Sequence, residues 1–408
     1  MPKATLIRNA RQLLTLRGAS GPRRAADLRN LGLIQDGAVL IIDGRIHDVG
    51  PSRRLENLAL ARHAVEIDAS GRLVMPGFVD CHTHLVSGPV RLPGHETPGA
   101  LARTIQDLSP RTLQAQALHR VEQAIRHGVT TVESKSGCGS TEANEIKILR
   151  VQSALRKRSV PLTSTFLCAE VSPGYPDRPD QYVEQVCSNM LPLIQRRKLA
   201  EFAGIRCQAG AFTVQQSRRF LAAARQLGFG LQICTGGRSL PGAIPLAVEL
   251  GVSSLGHALA VTPDEAALLA QSQTIATLLP GPVFYSGSST YPPARMLIDA
   301  GVAIALGSRY HPESSPSLNM QIIVALACGY MGMTPAEAVA AATINAAHAL
   351  RKSATIGSLE SGKSADLLIL DVPDYREIPY HFGMNLVELV MKNRTVLVER
   401  SEVKWPAP

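Results

Sequence analysis

Short apolar runs and amphipathic stretches alternate along most of this chain. Between residues 73 and 354, runs rich in β-branched residues are separated by longer stretches in which apolar residues recur every three or four positions. The short runs predict buried strands, and the longer stretches predict helices with one apolar face, such as that of Leu118, Val121 and Ile125. This alternation indicates βαβ units around a parallel sheet.

Eight strands are expected in this region, at residues 73–79, 130–135, 162–170, 204–209, 230–234, 253–257, 274–279 and 302–308. Eight is the number that closes a (β/α)8 TIM barrel, although an open doubly wound sheet would give the same count. No glycine-rich dinucleotide motif follows the first strand, which argues against the open alternative. Helices are expected near 111–127, from 141 onward, near 178–197, and from a capping box at Thr334 through residue 350.

Both chain ends predict β-structure instead. Strands are expected at 4–7, 63–68, 362–371 and 387–398, and a hairpin at 37–46 turns at Asp43-Gly44. We expect residues 1–72 and 355–408 to form one small composite β-sandwich beside an α/β barrel of residues 73–354.

Composition restricts the class of protein and its partners. The chain has 408 residues, 45% hydrophobic and 18% charged, which is typical of globular proteins. Its formal charge of +9 comes from scattered basic residues, so no nucleic-acid partner is expected. No apolar stretch has the length of a membrane span and no signal peptide opens the chain, so no membrane partner is expected. Seven cysteines, an odd number in apolar runs, favour reduced thiols in the cytoplasm.

The first strand of the barrel region ends in His82 and His84. In an extended backbone, side chains two residues apart point to the same side, so both imidazoles can face one point. Two imidazoles that converge at the carboxyl end of a strand can begin a divalent-metal site. The alternative is that two polar histidines simply end a strand.

Six segments carry a resemblance to a known family: MPGFVDCHTH at 75–84, GVTTVESKSG at 128–137, and residues 165–167, 278–281, 343–347 and 357–366. They resemble the amidohydrolase superfamily and, within it, the imidazolonepropionase family, which opens the imidazolone ring by hydrolysis in histidine degradation. The resemblance implies a barrel, a cytoplasmic homodimer and one zinc or iron ion. It assigns the ion to His-X-His, a histidine that ends the fifth strand and an aspartate that ends the eighth.

The resemblance also implies that several site positions have changed. Cys234 stands at the third histidine ligand, and Arg309 stands at the aspartate that would also handle the proton of the attacking water. Glu170 and Cys138 stand where the family has a substrate-contacting histidine and tyrosine. An arginine keeps its positive charge, so Arg309 would repel a dication. We therefore expect the family's metal-dependent hydrolysis to be impaired or lost.

Other positions remain candidates for substrate binding. Arg91 is placed like an arginine that binds the substrate carboxylate, and His257 is placed like the substrate-contacting histidine of the sixth strand. His257 is the one catalytic candidate that the sequence offers. His311 and Ser314 follow Arg309 after the eighth strand and are further candidates for ligand contact.

Three interpretations remain open. The chain is a catalytically silent homologue in which Arg309 takes the place of the metal and pairs with Glu170. Alternatively, it is an enzyme that acts on a C–N bond through a rebuilt metal site of His82, His84, Cys234 and either His257 or Glu170.

The third interpretation is a binding protein. Its barrel mouth would hold a small anionic, carboxylate-bearing molecule through Arg91 and Arg309, with Arg238 and His311 as further candidates.

Overall fold

The computed structural model describes residues 4–88, 100–158, 161–236 and 240–399. Within them, the strands form two eight-stranded sheets, one parallel and one mixed. The strands are β1 Ala4–Leu14, β2 Leu33–Ile42, β3 Arg45–Pro51, β4 Val65–Asp68, β5 Leu73–Pro76, β6 Phe78–Asp80, β7 Val129–Lys135, β8 Leu162–Cys168, β9 Phe202–Arg206, β10 Gly230–Cys234, β11 Ser254–Gly256, β12 Ile275–Leu278, β13 Ile304–Leu306, β14 Leu367–Leu370, β15 Val387–Lys392 and β16 Thr395–Glu399.

Strands β6 to β13 form the parallel sheet, in sequence order. The first and last of these strands meet at a seam, where Thr83 forms a parallel bridge with Tyr310 and the Cys81 thiol donates to the carbonyl of Leu306. Sequential order with right-handed helical crossovers is the pattern of a (β/α)8 barrel. The predicted TIM barrel is therefore confirmed.

Helices cover the outside of this barrel. Several begin at side-chain caps, and at Thr334, the cap expected from the sequence, the hydroxyl accepts a hydrogen bond from the backbone N–H of Glu337. The helices are α1 Ser52–Leu55, α2 Ala100–Asp107, α3 Pro110–Arg126, α4 Glu142–Lys157, α5 Pro179–Gln185, α6 Leu191–Arg196, α7 Val214–Gln226, α8 Ala243–Glu249, α9 Pro263–Ala270, α10 Pro280–Tyr285, α11 Ala294–Asp299, α12 Met320–Tyr330, α13 Pro335–Ala341, α14 Ile344–Ala349 and α15 Glu377–Tyr380, with a 3-10 turn at Ala25–Arg29 and a π turn at Val186–Met190.

The mixed sheet joins both chain ends. Its order is β16-β15-β14-β5-β1-β2-β3, and β4 pairs with β1. Strands from the N-terminal and C-terminal parts meet where β14 pairs antiparallel with β5. This confirms the expected small β-domain beside the barrel. No helix among the described residues is long and apolar enough to cross a membrane.

Two predicted elements are divided in the structure. The run 73–79, expected as one strand, separates at Gly77 because the hydrogen-bond partners change there: the N–H of Gly77 donates to Asp366, whereas the N–H of Phe78 donates to Gly128. β5 therefore belongs to the mixed sheet and β6 to the barrel. The helix expected to run through residue 350 is also interrupted, since Thr343 has φ −128° and ψ −91°, which is not helical.

Candidate functional site

The seam of the barrel positions His82 and His84 at the carboxyl ends of the strands. The Asp80 carboxylate accepts hydrogen bonds from the backbone N–H of Ser308, at 3.0 Å, and from its hydroxyl. The backbone N–H of His84 donates to the carbonyl of Tyr310 at 2.8 Å. These bonds tie the end of β6 to the segment after β13, and they place both histidines at the mouth, where barrel enzymes carry out their chemistry.

Four imidazoles lie together at this mouth. The ring centroids of His82 and His84 are 5.8 Å apart, those of His82 and His257 are 5.5 Å apart, and those of His84 and His311 are 5.5 Å apart. Gly256 makes room for this arrangement, because a Cβ there would lie only 3.2 Å from His82 Cε1. The expectation that His82 and His84 converge with residues of later strands is thus met.

All four imidazoles are neutral at physiological pH. Burial lowers the pKa values of His82, His84 and His257 well below the ordinary histidine value. Burial and the nearby Arg309 guanidinium lower the pKa of His311 to about 3. The Nδ1 atom of His84 lies 3.1 Å from the carbonyl oxygen of Ser136, which can only accept, so this nitrogen carries the ring proton.

Arg309 contacts the histidine cluster directly. Its Nε donates to Nε2 of His257 at 2.7 Å, and one terminal nitrogen donates to the hydroxyl of Ser314 at 2.6 Å. Both Arg309 and His257 have left-handed backbones, with φ values of 47° and 62°, a conformation that non-glycine residues adopt rarely. Burial, together with the positive charge of Arg206, lowers the pKa of Arg309 to about 10.

The expected pairing of Arg309 with Glu170 is wrong. None of the ion pairs formed among residues 4–88, 100–158, 161–236 and 240–399 joins these two side chains. Glu170 is exposed and instead accepts a hydrogen bond from the hydroxyl of Ser140, in the loop after β7. Both side chains nevertheless line the same cavity.

Among the described residues, Arg206 and Arg309 together line two cavities at the mouth. The inner cavity has a volume of about 250 Å³ and the outer one about 190 Å³, and they share His84, Arg206 and Arg309. The inner cavity is lined by His82, His84, Leu167, Arg206, Gln208, Cys234, Gly236, His257 and Arg309. The outer cavity is lined by His84, Leu101, Ala102, Gly137, Cys138, Ser140, Glu170, Arg206, Arg309, His311 and Glu313.

Arg206 and Glu313 are site residues that sequence reasoning missed. Arg206 is the last residue of β9, and Glu313 follows the eighth barrel strand by a few residues. Glu313 follows the predicted strand 302–308, and that position was its available signal, whereas Arg206 fell inside the predicted strand 204–209 and gave none. Two sequence candidates, Arg91 and Arg238, lie outside the described residues.

The residues present do not fit a metal ion of the kind that the family resemblance implies. Cys234 lies at the mouth with His82 and His84, but burial raises the pKa of its thiol and so disfavours the ligating thiolate. In the part of the chain that the structure describes, no three His, Cys, Asp or Glu side chains form a group that could hold a metal. The lone pair of His257 Nε2 is already used by Arg309.

Below the mouth lies a second polar layer, which we call the floor. Its members are Glu133, Lys135, Thr165 and Gln232, all buried. The Lys135 ammonium lies 2.9 Å from the Glu133 carboxylate and also donates to Gln232, whose amide donates to Glu133 at 2.7 Å. The hydroxyl of Thr165 donates to the same carboxylate. The floor charges are therefore compensated by neighbouring side chains.

Comparison with known proteins gives the relationship of the whole chain. Residues 73–398 match the Amidohydrolase family. The imidazolonepropionase of Alkaliphilus metalliredigens is 39% identical over 416 residues, covering 98% of this chain and 99% of the relative. That of Geobacillus kaustophilus is 40% identical over 418 residues, covering 97% of this chain and 98% of the relative.

A solved structure supports the fold independently. An adenosine deaminase from Xanthomonas campestris with bound zinc has a TM-score of 0.70 at 18% identity, with coverage of 98% of this chain and 94% of that one. At this identity the similarity concerns the fold alone. The sequence relatives extend over both the barrel and the mixed sheet. The chain therefore belongs to the amidohydrolase family and is a relative of the imidazolonepropionases.

Proposed function

We propose that this protein binds a small carboxylate-bearing molecule at its barrel mouth and does not catalyse metal-dependent opening of the imidazolone ring. The observation that carries the proposal is the contact between Arg309 and His257. A guanidinium stands where the family resemblance puts a carboxylate ligand, and it uses the lone pair of a neighbouring imidazole. A permanent cation and a dication at one buried point would repel each other strongly.

The imidazole and thiol groups at the mouth are also poorly suited to act as general bases. The pKa of His311 is lowered to about 3, and burial lowers those of His82, His84 and His257 well below the ordinary value. General bases work best when their pKa lies near the operating pH, so these imidazoles take protons from water weakly. The raised pKa of the Cys234 thiol leaves it neutral as well. These groups support ligand contact better than water activation.

Two guanidinium groups provide the binding energy in this proposal. Arg206 and Arg309 line both cavities, and Arg206 forms no ion pair or side-chain hydrogen bond within the described residues. Arginine presents several N–H groups in one plane, which suits the two oxygens of a carboxylate. Both side chains are only partly buried, and a cation held away from bulk water without a protein anion gains free energy when a carboxylate binds it.

Metal analysis and an activity assay test the loss of hydrolysis. We expect protein expressed with zinc and iron supplements to contain far less than one metal per chain and to leave imidazolone propionate unchanged. Stoichiometric metal together with turnover would overturn the proposal and favour the rebuilt site with Cys234.

A pair of variants controls that experiment. The double variant Cys234→His with Arg309→Asp restores the ligand types of the family, and we expect it to bind about one zinc ion. The single variant Cys234→His keeps the guanidinium, and we expect it to remain metal-poor. Zinc binding by the single variant would show that Arg309 does not exclude the ion.

Calorimetry tests the binding itself. Propionate should bind the wild-type protein, and Arg309→Gln should weaken its binding about tenfold or more, because one charge-assisted contact is lost. An unchanged affinity in the variant would contradict the assigned place of the carboxylate.

A further inference from the structure

Opposite charges line the outer cavity without neutralising one another. Arg206 and Arg309 contribute two positive charges, and Glu170 and Glu313 contribute two negative ones. Among the ion pairs of the described residues, none joins either arginine to either glutamate. The four groups therefore surround the same space of about 190 Å³ as separate charges.

Local contacts keep these charges apart. Glu170 accepts a hydrogen bond from Ser140, and Arg309 is held by His257 and Ser314. The backbone N–H of Glu313 donates to Nδ1 of His311 at 3.3 Å, which fixes that residue beside the mouth. Burial, and after it the positive charge of Arg206, lower the pKa of Arg309, so the two guanidinium groups repel each other across the cavity they share. A ligand that carries both an anionic and a cationic group would offset the repulsion between the two arginines and would give the two glutamates a positively charged partner.

We propose that the outer cavity binds a small amino-acid zwitterion, with its carboxylate between Arg206 and Arg309 and its ammonium group facing Glu170 and Glu313. The inference rests on the proposed carboxylate-binding function and names its ligand class. A neutral ligand with two opposite charges matches a lining whose four side-chain charges sum to zero. The cavity volume restricts the ligand to a short amino acid.

The inner cavity provides a contrast within the same mouth. It shares both arginines, but none of the described residues that line it carries a carboxylate. A ligand with a carboxylate alone could be held by the arginines from either cavity, so only the outer cavity distinguishes a zwitterion from a simple acid. The glutamates are therefore specificity-determining residues in this proposal.

Matched pairs of probes test the inference by calorimetry on the full chain. Alanine and β-alanine are compared with propionate, and γ-aminobutyrate is compared with butyrate, so that each pair differs only in the ammonium group. We expect at least one amino acid to bind about tenfold or more tightly than its deaminated partner, because the ammonium group gains charge-assisted contacts. Equal affinity within every pair would overturn the inference.

Variants identify the residues responsible. Glu313→Gln should remove the preference for the amino acid while propionate affinity stays equal or increases, since a negative charge near the carboxylate has been removed. Glu184→Gln, an exposed change on α5, is the matched control and should leave the preference intact. A preference that survives in Glu313→Gln would contradict the assigned role. Failure of propionate to bind at all would overturn the carboxylate-binding function, whereas propionate binding without any preference would overturn only the zwitterion.

Discussion

Two layers of the barrel interior contain cations, Lys135 in the floor and Arg309 in the mouth. The ammonium of Lys135 has a carboxylate at 2.9 Å and an amide oxygen as partners. The guanidinium of Arg309 has only neutral partners, an imidazole and a hydroxyl, within the described residues. Lys135 is fully buried at the end of β7, whereas Arg309 follows β13 and is partly exposed at the mouth.

In one barrel, a charge that is paired contributes to the stability of the fold, and a charge that is not paired is available for ligand binding. A buried charge that is paired with an opposite charge and a neighbouring amide has little interaction left to offer a ligand. A charge without a counterion destabilises the empty site, but that unused interaction is available to an incoming anion. The following variants test this distinction, from the largest expected effect to the smallest.

Removing the floor carboxylate should have the largest effect. Glu133→Leu leaves Lys135 buried without its counterion, and we expect the free energy of unfolding to fall by about 3–5 kcal/mol in urea denaturation. The double variant Glu133→Leu with Lys135→Met should recover most of that loss, because neither charge then remains. A single-variant loss below about 1 kcal/mol would mean that the floor is not a compensated pair.

The mouth should control the response to acid. The pKa of His311 is lowered to about 3, against about 6.5 for an unfolded histidine. Between these values the unfolded state binds more protons, so stability falls as pH decreases from about 6.5 toward 3. Relative to pH 7, His311→Asn should lose about 2 kcal/mol less than the wild type at pH 4.5. Parallel stability–pH curves for the two proteins would contradict this assignment.

Removing the mouth cation should cost little. Arg309→Met eliminates a partly buried charge that lacks a carboxylate partner, so we expect unfolding free energy to stay within about 1 kcal/mol of the wild type or to rise. The same variant should also bind propionate about tenfold or more weakly than the wild type. If Arg309→Met lowered the free energy of unfolding as much as Glu133→Leu does, Arg309 would stabilise the fold as the floor ion pair does.

An exposed ion pair provides the lower limit of the comparison. Arg218 and Glu249 form such a pair between α7 and α8, and both side chains are about half exposed. Arg218→Ala should change unfolding free energy by less than about 1 kcal/mol, since solvent and salt screen exposed charges. A larger change, measured in the same urea series, would mean that burial is not the factor that separates the floor from the surface.

The sequence predicted the fold well because hydrophobic periodicity reports burial directly. Gly230–Cys234 was expected as a strand with the same ends that the structure gives. The break at Gly77 was not predicted, because it depends on a change of hydrogen-bond partner between residues far apart in sequence. The run 73–79 is equally apolar on both sides of that break.

The site was predicted less completely, since motif positions give residue types but not side-chain directions. The motif positions predicted that His82, His84, His257 and Arg309 lie at one barrel mouth, and in the structure they line one cavity. It assigned Glu170 to Arg309 because their charges are opposite, whereas the nearby Ser140 holds that carboxylate. Hydrogen-bond competition of this kind is decided by atomic distances, which a single sequence does not contain.

The seam of the barrel has a consequence for the folding pathway. Asp80 and Ser308, whose hydrogen bond closes it, are 228 residues apart in the chain. Contacts between residues so far apart in sequence form slowly. We therefore expect the mouth to assemble late, after the intervening βα units have folded. Nascent chains that end before residue 308 can hold most of the barrel but cannot contain the cavity.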